Sequence, residues 1–227
     1  MSLPACGGGP PQSGSPQGAP PYIACQPDPD PSPVPPGPDQ ADVRFRTASG
    51  LRADIPYIDS VKTQSPDTLR YTWGVALTEA EESEIDFRDR SLGPALVSEQ
   101  IRAYTDANAA TYAGDYLDTA GGIATFLFTQ QVDRHRTELS AIFPYPARLA
   151  VRAARYTSVQ LQAFKERISG LPAGTFNSVA INVPSNTVRV NVPACAGPAL
   201  APFAMVPADA IYVYLGSRPT LNAGTEP

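Results

Sequence analysis

The sequence has few of the side chains from which neutral-pH active sites and metal centres are usually built. Its 227 residues include one histidine and three cysteines, and no Cys-x-x-Cys pair occurs. His135 lies between Arg134 and Arg136, which disfavour the charged imidazole, and its spacing from Val132 and Leu139 predicts a place beside the buried face of a helix. We therefore expect no catalytic residue, no cofactor and no metal site, and a protein that is not an enzyme. The alternative that this inventory leaves open is a degenerate hydrolase with a Ser-His-Asp triad of residues distant in sequence.

Charged residues are also scarce. They make up 17% of the chain, below the usual share of about a quarter, and the formal net charge is −5. An acidic chain is not held to nucleic acid by phosphate contacts, so we expect no nucleic-acid partner. The longest stretches without charge, residues 1–27, 169–188 and 190–208, are interrupted by prolines, so none of them is predicted to span a membrane.

Lysine and arginine are absent from residues 1–39, where 13 of the 26 prolines lie. With almost no bulky apolar side chains, this segment cannot bury enough surface to offset the entropy of ordering. We predict a Pro/Gly-rich disordered tether with polyproline II character, which would reach about 90 Å over residues 10–39 at ~3.1 Å per residue. The alternative is a tail without a role.

The tether begins with a motif typical of bacterial lipoproteins. The run Leu3-Pro4-Ala5-Cys6 resembles a lipoprotein processing box, and a glycine-rich stretch follows it, so Cys6 is a candidate for lipidation. Only five residues precede Cys6, whereas export needs a charged region and about 7–15 apolar residues. Either the signal is truncated, or the match is coincidental and Cys6 is a stray cysteine. Lipid on Cys6 would be the only attachment of the chain to a membrane.

The other two cysteines flank the patterned part of the chain. If Cys6 carries a lipid, Cys25 and Cys195 are left as a pair, and we expect them to form a disulfide that joins the tether to the edge of the folded domain. A disulfide indicates an oxidising compartment. The expected location is therefore extracytoplasmic, either secreted or anchored to the cell envelope.

Residues 40–110 are predicted to contain short strands and acidic-capped helices. Thr78 and Glu81 form a capping box, with further acidic residues in the first turns, and Gly93-Pro94 is expected to end that helix near Leu92. Polar and apolar residues alternate before it, which favours strands. The predicted elements are strands at residues 42–46 and 71–75 and helices at residues 78–92 and 95–107.

Residues 111–192 carry a stronger pattern, and the order β-β-α-β-α-β-β predicts an α+β fold. A capping box at Thr157 opens the second helix, and alternating valines around a turn at residues 184–187 predict a hairpin. We expect an open two-layer sandwich, with helices packed on a mostly antiparallel sheet and two helices preceding this core. In the extension of residues 193–227, Ile211–Leu215 is a candidate edge strand. The core elements are strands at 112–117, 123–128 and 149–153, helices at 132–143 and 157–168, and hairpin strands at 179–183 and 188–192.

Residues 111–192 resemble the pro-region domain of the alpha-lytic and streptogrisin class of secreted bacterial serine proteases. The similarity covers about 82 residues and lies in five segments. They are the run Tyr112-Ala113-Gly114-Asp115-Tyr116-Leu117-Asp118, the strands at 121–129 and 149–156, the helix at 157–168, and the strand–Asn-x-Val–strand pattern at 182–190.

In that family the pro-region assists the folding of the protease that follows it and then inhibits that protease. Only 35 residues follow Val192 here, too few for a protease domain, and neither a Gly-Asp-Ser-Gly loop nor a Gly-x-Ser-x-Gly elbow is present. The resemblance therefore implies the fold, and a sheet that can pair with a strand of another protein.

These observations favour a binding module over an enzyme. Arg148, Arg152 and Arg155 form a local basic cluster on an acidic chain, and we predict that the strand at residues 149–155, with the hairpin at 179–192, contacts an unidentified protein partner. The alternative function is a chaperone or inhibitor that acts in trans on a separately encoded secreted serine protease. The alternative explanation of the arginines is an edge strand kept soluble by charge.

Overall fold

The computed structural model describes residues 23–26, 38–195 and 197–216. Helices pack on two separate sheets, and the predicted fold class, an open α+β arrangement, is confirmed. The expectation of one mostly antiparallel sheet is wrong, because each of the two sheets contains both an antiparallel and a parallel pair of strands. Cys6 and most of the predicted tether, residues 1–39, lie outside the described residues.

A helical layer forms the first part of the described chain. Its helices are α1 (Pro38–Ala48), α2 (Ile55–Gln64), α3 (Asp67–Trp73), α4 (Glu79–Phe87), α5 (Gly93–Leu96) and α6 (Glu99–Ala107). The predicted capping box between Thr78 and Glu81 is present at the start of α4. The expected end near Leu92 is wrong, since α4 continues through a π-helical turn at Arg88–Leu92 into α5. Pro94 is accommodated because it lies in the first turn of α5, where its missing N–H leaves no helical hydrogen bond unmade.

The two strands predicted in this region are wrong. Residues 42–46 belong to α1, where Asp42 and Arg46 are both buried. A spacing of four residues places them on one face of a helix, and this outweighs the short alternation of polar and apolar residues. Residues 71–75 contain the end of α3, which Gly74 terminates with a φ of +69°.

The first sheet has three strands in the order β2-β3-β4. They are β2 (Tyr112–Asp118), β3 (Ile123–Phe128) and β4 (Leu149–Ala153). β2 and β3 form an antiparallel hairpin, and α7 (Val132–Ile142) provides the crossover that makes β4 parallel to β3. One face of this sheet packs on α5, α6 and α7, and the shared core includes Leu96, Ile101, Phe126, Phe128, Leu139 and Val151.

The second sheet has the order β1-β7-β6-β5. Its strands are β1 (Cys25–Gln26), β5 (Ser178–Asn182), β6 (Thr187–Val192) and β7 (Ile211–Leu215), and α8 (Ser158–Ser169) and α9 (Gly197–Leu200) accompany them. The predicted hairpin is present as β5 and β6, and Val188, Val190 and Val192 are buried. The strand predicted at Ile211–Leu215 forms, but the expectation that it lies at an edge is wrong, because β7 pairs with both β6 and β1.

Candidate protein-binding surface

β4 is an edge strand: in the part of the chain that the structure describes, it pairs with β3 alone. Successive residues of a strand direct their N–H and C=O groups to opposite sides. The Ala154 N–H donates to the Phe128 carbonyl (2.9 Å), so Val151 and Ala153 direct their backbone groups to the outer side. Arg136 of α7 donates to the Val151 carbonyl (3.3 Å) and Val151 is buried, whereas Ala153 is exposed, so the backbone of Ala153 is the accessible part of this edge.

A groove of about 570 Å³ lies where the end of β4 meets the turn between β5 and β6. It therefore lies between the two sheets. Its polar lining comes from β2, from β4 and the residues after it, from the β5–β6 turn and from the loop before β7. These polar residues are Tyr116, Arg152, Arg155, Ser185, Asn186 and Asp209.

Asn186 joins the hairpin turn to the chain that leaves β4. Its side-chain oxygen accepts from the N–H groups of Arg155 (3.0 Å) and Tyr156 (2.8 Å), and its side-chain nitrogen donates to the Tyr156 carbonyl (2.8 Å). The residue has a φ of +52°, which asparagine tolerates better than most side chains. The turn residues predict a turn here, but nothing in the local pattern identifies the segment that Asn186 binds.

Two of the three arginines predicted as a partner surface share the groove. Arg155 forms an ion pair with Asp209, and the Tyr156 hydroxyl donates to the same carboxylate (2.7 Å). The hydrogen bond from Tyr156, together with Arg155, holds the pKa of Asp209 below its usual value. Arg152 is exposed, and no ion pair forms between it and the described residues.

Arg148 is separated from this pair. It lies before β4, where its guanidinium donates to Glu84 of α4 (2.9 Å) and lies 5.7 Å from the centre of the Phe87 ring. Arg88 donates to the other oxygen of Glu84 (2.9 Å). Burial would raise the pKa of Glu84, but the bonds from Arg88 and Arg148 outweigh it and lower the pKa. Arg148 therefore joins α4 to the first sheet, and the predicted cluster of three arginines is reduced to Arg152 and Arg155.

His135 lies in the core between α6 and α7, as the sequence predicts, and is 1% exposed. Its ring stacks on Phe128 with centres 3.7 Å apart. The Tyr104 hydroxyl contacts Nδ1 (2.6 Å) and donates to Glu138 (2.8 Å), while the Thr111 hydroxyl lies 3.2 Å from Nε2. Both ring nitrogens thus have protein partners, and the ring has no access to a substrate.

Stability should respond to pH through this histidine. Burial, together with Arg134, lowers the pKa of His135 against the smaller opposing effect of Glu138. The unfolded chain, with an imidazole pKa of about 6.5, then binds more protons than the folded chain. We therefore expect the free energy of unfolding to decrease as the pH is lowered from about 6.5, by at most ~1.4 kcal/mol per pH unit.

Urea titrations at pH 7.5, 6.5 and 5.5 would measure this slope. His135→Gln is the comparison, because it removes the only histidine of the chain. The variant should lose most of the slope whatever its absolute stability. Equal slopes in both proteins would show that other groups cause the pH dependence.

Cys25 and Cys195 form the disulfide that the sequence predicts, with Cα atoms 5.7 Å apart and a sequence separation of 170. It joins β1 to the chain just after β6. In the second sheet, β1 and β5 lie at opposite edges. Among residues 23–26, 38–195 and 197–216, no group of three metal-ligating side chains is found. Within the same ranges, none of the helices has the length and apolar character needed to cross a bilayer.

No protein-family model matches the chain, and none of the curated proteins matches it.

Proposed function

We propose that the chain is a non-catalytic protein-binding module that works outside the cytoplasm, secreted or attached to the cell envelope. It binds an extended segment of its partner along the outer side of β4. The observation that carries this proposal is the open edge at Ala153, next to an exposed arginine without an ion pair, Arg152, in a groove between two sheets.

Strand addition suits this edge for a physical reason. An edge strand presents backbone N–H and C=O groups that another chain can pair with, and side-chain pockets beside it select the sequence. A partner residue with a carboxylate would meet Arg152 in the groove, where Asn186 and Ser185 offer further hydrogen bonds. The partner that fits best is therefore an extended segment with at least one acidic residue.

The location is supported by the disulfide. Disulfides persist in oxidising compartments and are rare in the cytosol. The Cys25–Cys195 bond fixes the predicted tether to the domain at residue 25. Lipid on Cys6 would then place the binding surface at the end of a proline-rich spacer.

A charge swap tests the surface. Displayed ten-residue peptides would be selected for binding, and the affinity of the best acidic peptide measured by fluorescence anisotropy. We expect Arg152→Glu to weaken binding by about tenfold or more, the effect of losing a hydrogen bond to a charged group. A peptide with lysine in place of its acidic residue should recover binding to Arg152→Glu.

Two controls make the result specific to β4. Arg102→Glu changes an exposed arginine on α6 by the same charge and should alter affinity by less than about twofold. Hydrogen exchange of the complex should show protection of the Ala153 amide. Protection confined to other strands, or equal losses in the two variants, would contradict binding at β4.

A chaperone or inhibitor of a secreted serine protease is the second candidate. The resemblance of residues 111–192 to protease pro-regions is what supports it, and the order of strands and helices between Tyr112 and Val192 is the one predicted from the sequence pattern. Inhibition assays with secreted trypsin-like proteases separate the two candidates. Tight inhibition that Arg152→Glu abolishes would make such a protease the partner at β4.

A further inference from the structure

A second groove, of about 620 Å³, shares no lining residue with the groove of the protein-binding surface. Its walls are α8, the segment from α9 to the loop before β7, and Ile23, two residues before β1. Aliphatic and aromatic side chains dominate it, among them Ile23, Phe164, Leu200, Met205 and Val206. Its volume falls in the range of roughly 300–1,000 Å³ that small-molecule sites occupy.

One charged side chain lines this groove in the described part of the chain, and it is Arg167 of α8. Arg167 is exposed and forms no ion pair with the described residues. Its neighbour Glu166 accepts a hydrogen bond from Gln162 (2.9 Å) on the same helix. The groove thus combines a long apolar lining with a single positive charge at its rim.

This lining selects among ligand classes. Sugars and nucleotides need several converging donors and acceptors, which the side chains of the groove do not supply. An alkyl chain gains by leaving water at about 25 cal/mol per Å² of apolar surface. An anionic group at one end of that chain would meet the guanidinium of Arg167, which binds carboxylates well.

The disulfide fixes two walls of the groove relative to each other. Ile23 lies two residues before Cys25, and Gly197 lies two residues after Cys195, and both line the groove. The groove is therefore held open by a covalent bond rather than by side-chain packing alone. A pre-formed apolar site of this kind binds a ligand without first ordering its own walls.

We propose that this groove binds a single-chain fatty acid, with the alkyl chain along the aliphatic lining and the carboxylate paired with Arg167. The site is distinct from the edge of β4 and does not depend on the proposed protein-binding function.

Calorimetric titration of the full oxidised chain with dodecanoate, below its micelle concentration, tests the proposal. We expect one saturable site for dodecanoate. Arg167→Gln should bind dodecanoate about tenfold more weakly, because the variant loses one hydrogen bond to a charged group. Arg102→Gln is the matched control and should change the affinity by less than about twofold. Ala204→Trp, at an exposed lining position, should fill the groove and abolish binding.

Three results would overturn the proposal. The first is the absence of saturable heat with dodecanoate. The second is equal binding of dodecyltrimethylammonium, which would show that Arg167 selects no charge. The third is a dimer, seen by sedimentation, in a wild-type chain that binds no dodecanoate. If Ala204→Trp dissociates that dimer, the groove is covered by a second copy of the chain.

Discussion

Replacing both Cys25 and Cys195 with alanine is expected to lower the free energy of unfolding by about 5 kcal/mol, the chain-entropy value for a loop of this size. The two cysteines are 170 positions apart in a chain of 227 residues, so the bond restricts most of the unfolded chain. The folded state also depends on it locally. β1 has two residues, which pair with β7, and so short a strand has little stability of its own.

Urea unfolding of oxidised proteins measures this loss. Both proteins should carry Cys6→Ser so that Cys6 cannot exchange with the pair, and the single variant Cys25→Ala should lose as much as the double variant. Thiol labelling of the denatured wild-type chain, without reductant, should find one free thiol, that of Cys6. Three free thiols, or equal urea midpoints for the two proteins, would be incompatible with a stabilising bond.

Elements set by neighbouring residues could be predicted from the sequence. The capping boxes at Thr78 and Thr157 depend on residues three positions apart, and both are present. The hairpin of β5 and β6 follows from alternating valines around a four-residue turn. His135 lies in the core because a helix places it beside Leu139. In each case the physical cause lies within a few residues of the pattern.

Long-range pairing could not be predicted in the same way. β7 pairs with β1 across nearly the full length of the domain, and no local pattern determines which strand lies next to which. The division into two sheets follows from such pairings, so one sheet was the simpler expectation. The short alternation at residues 42–46 also misleads, because a period of two and a period of 3.6 differ little over five residues.

The candidate surface shows the same limit. The sequence groups Arg148, Arg152 and Arg155 because they are close along the chain. Arg148 pairs instead with Glu84, which is 64 residues away in sequence, and Asn186 attaches the hairpin turn to Arg155 and Tyr156. The folded structure is therefore needed to distinguish Arg148, which joins a helix to a sheet, from Arg152, which forms no ion pair with the described residues.

Replacing Arg46 with methionine is expected to lower the free energy of unfolding by about 3–5 kcal/mol, the cost of removing one partner of a buried ion pair. Arg46 is 0% exposed and forms an ion pair with Glu81. It also donates to the Arg52 carbonyl (2.6 Å) and the Ala76 carbonyl (2.8 Å), and its guanidinium lies 5.1 Å from the centre of the Tyr57 ring. Methionine retains most of the packing volume but removes the cation that pairs with Glu81 and leaves two carbonyls without their donor.

Arg44→Met is the matched control, because Arg44 lies two residues away on α1 and is exposed. It should change the free energy of unfolding by less than about 0.5 kcal/mol. Urea unfolding of the two variants and of Arg46→Met/Glu81→Met separates the ion pair from the carbonyl bonds. If the ion pair accounts for most of the stability lost in Arg46→Met, the double variant should recover part of that loss, because no buried charge then remains unpaired. A double variant less stable than Arg46→Met would instead assign the stability of this layer to Glu81 and its contacts with Tyr57 and Thr78.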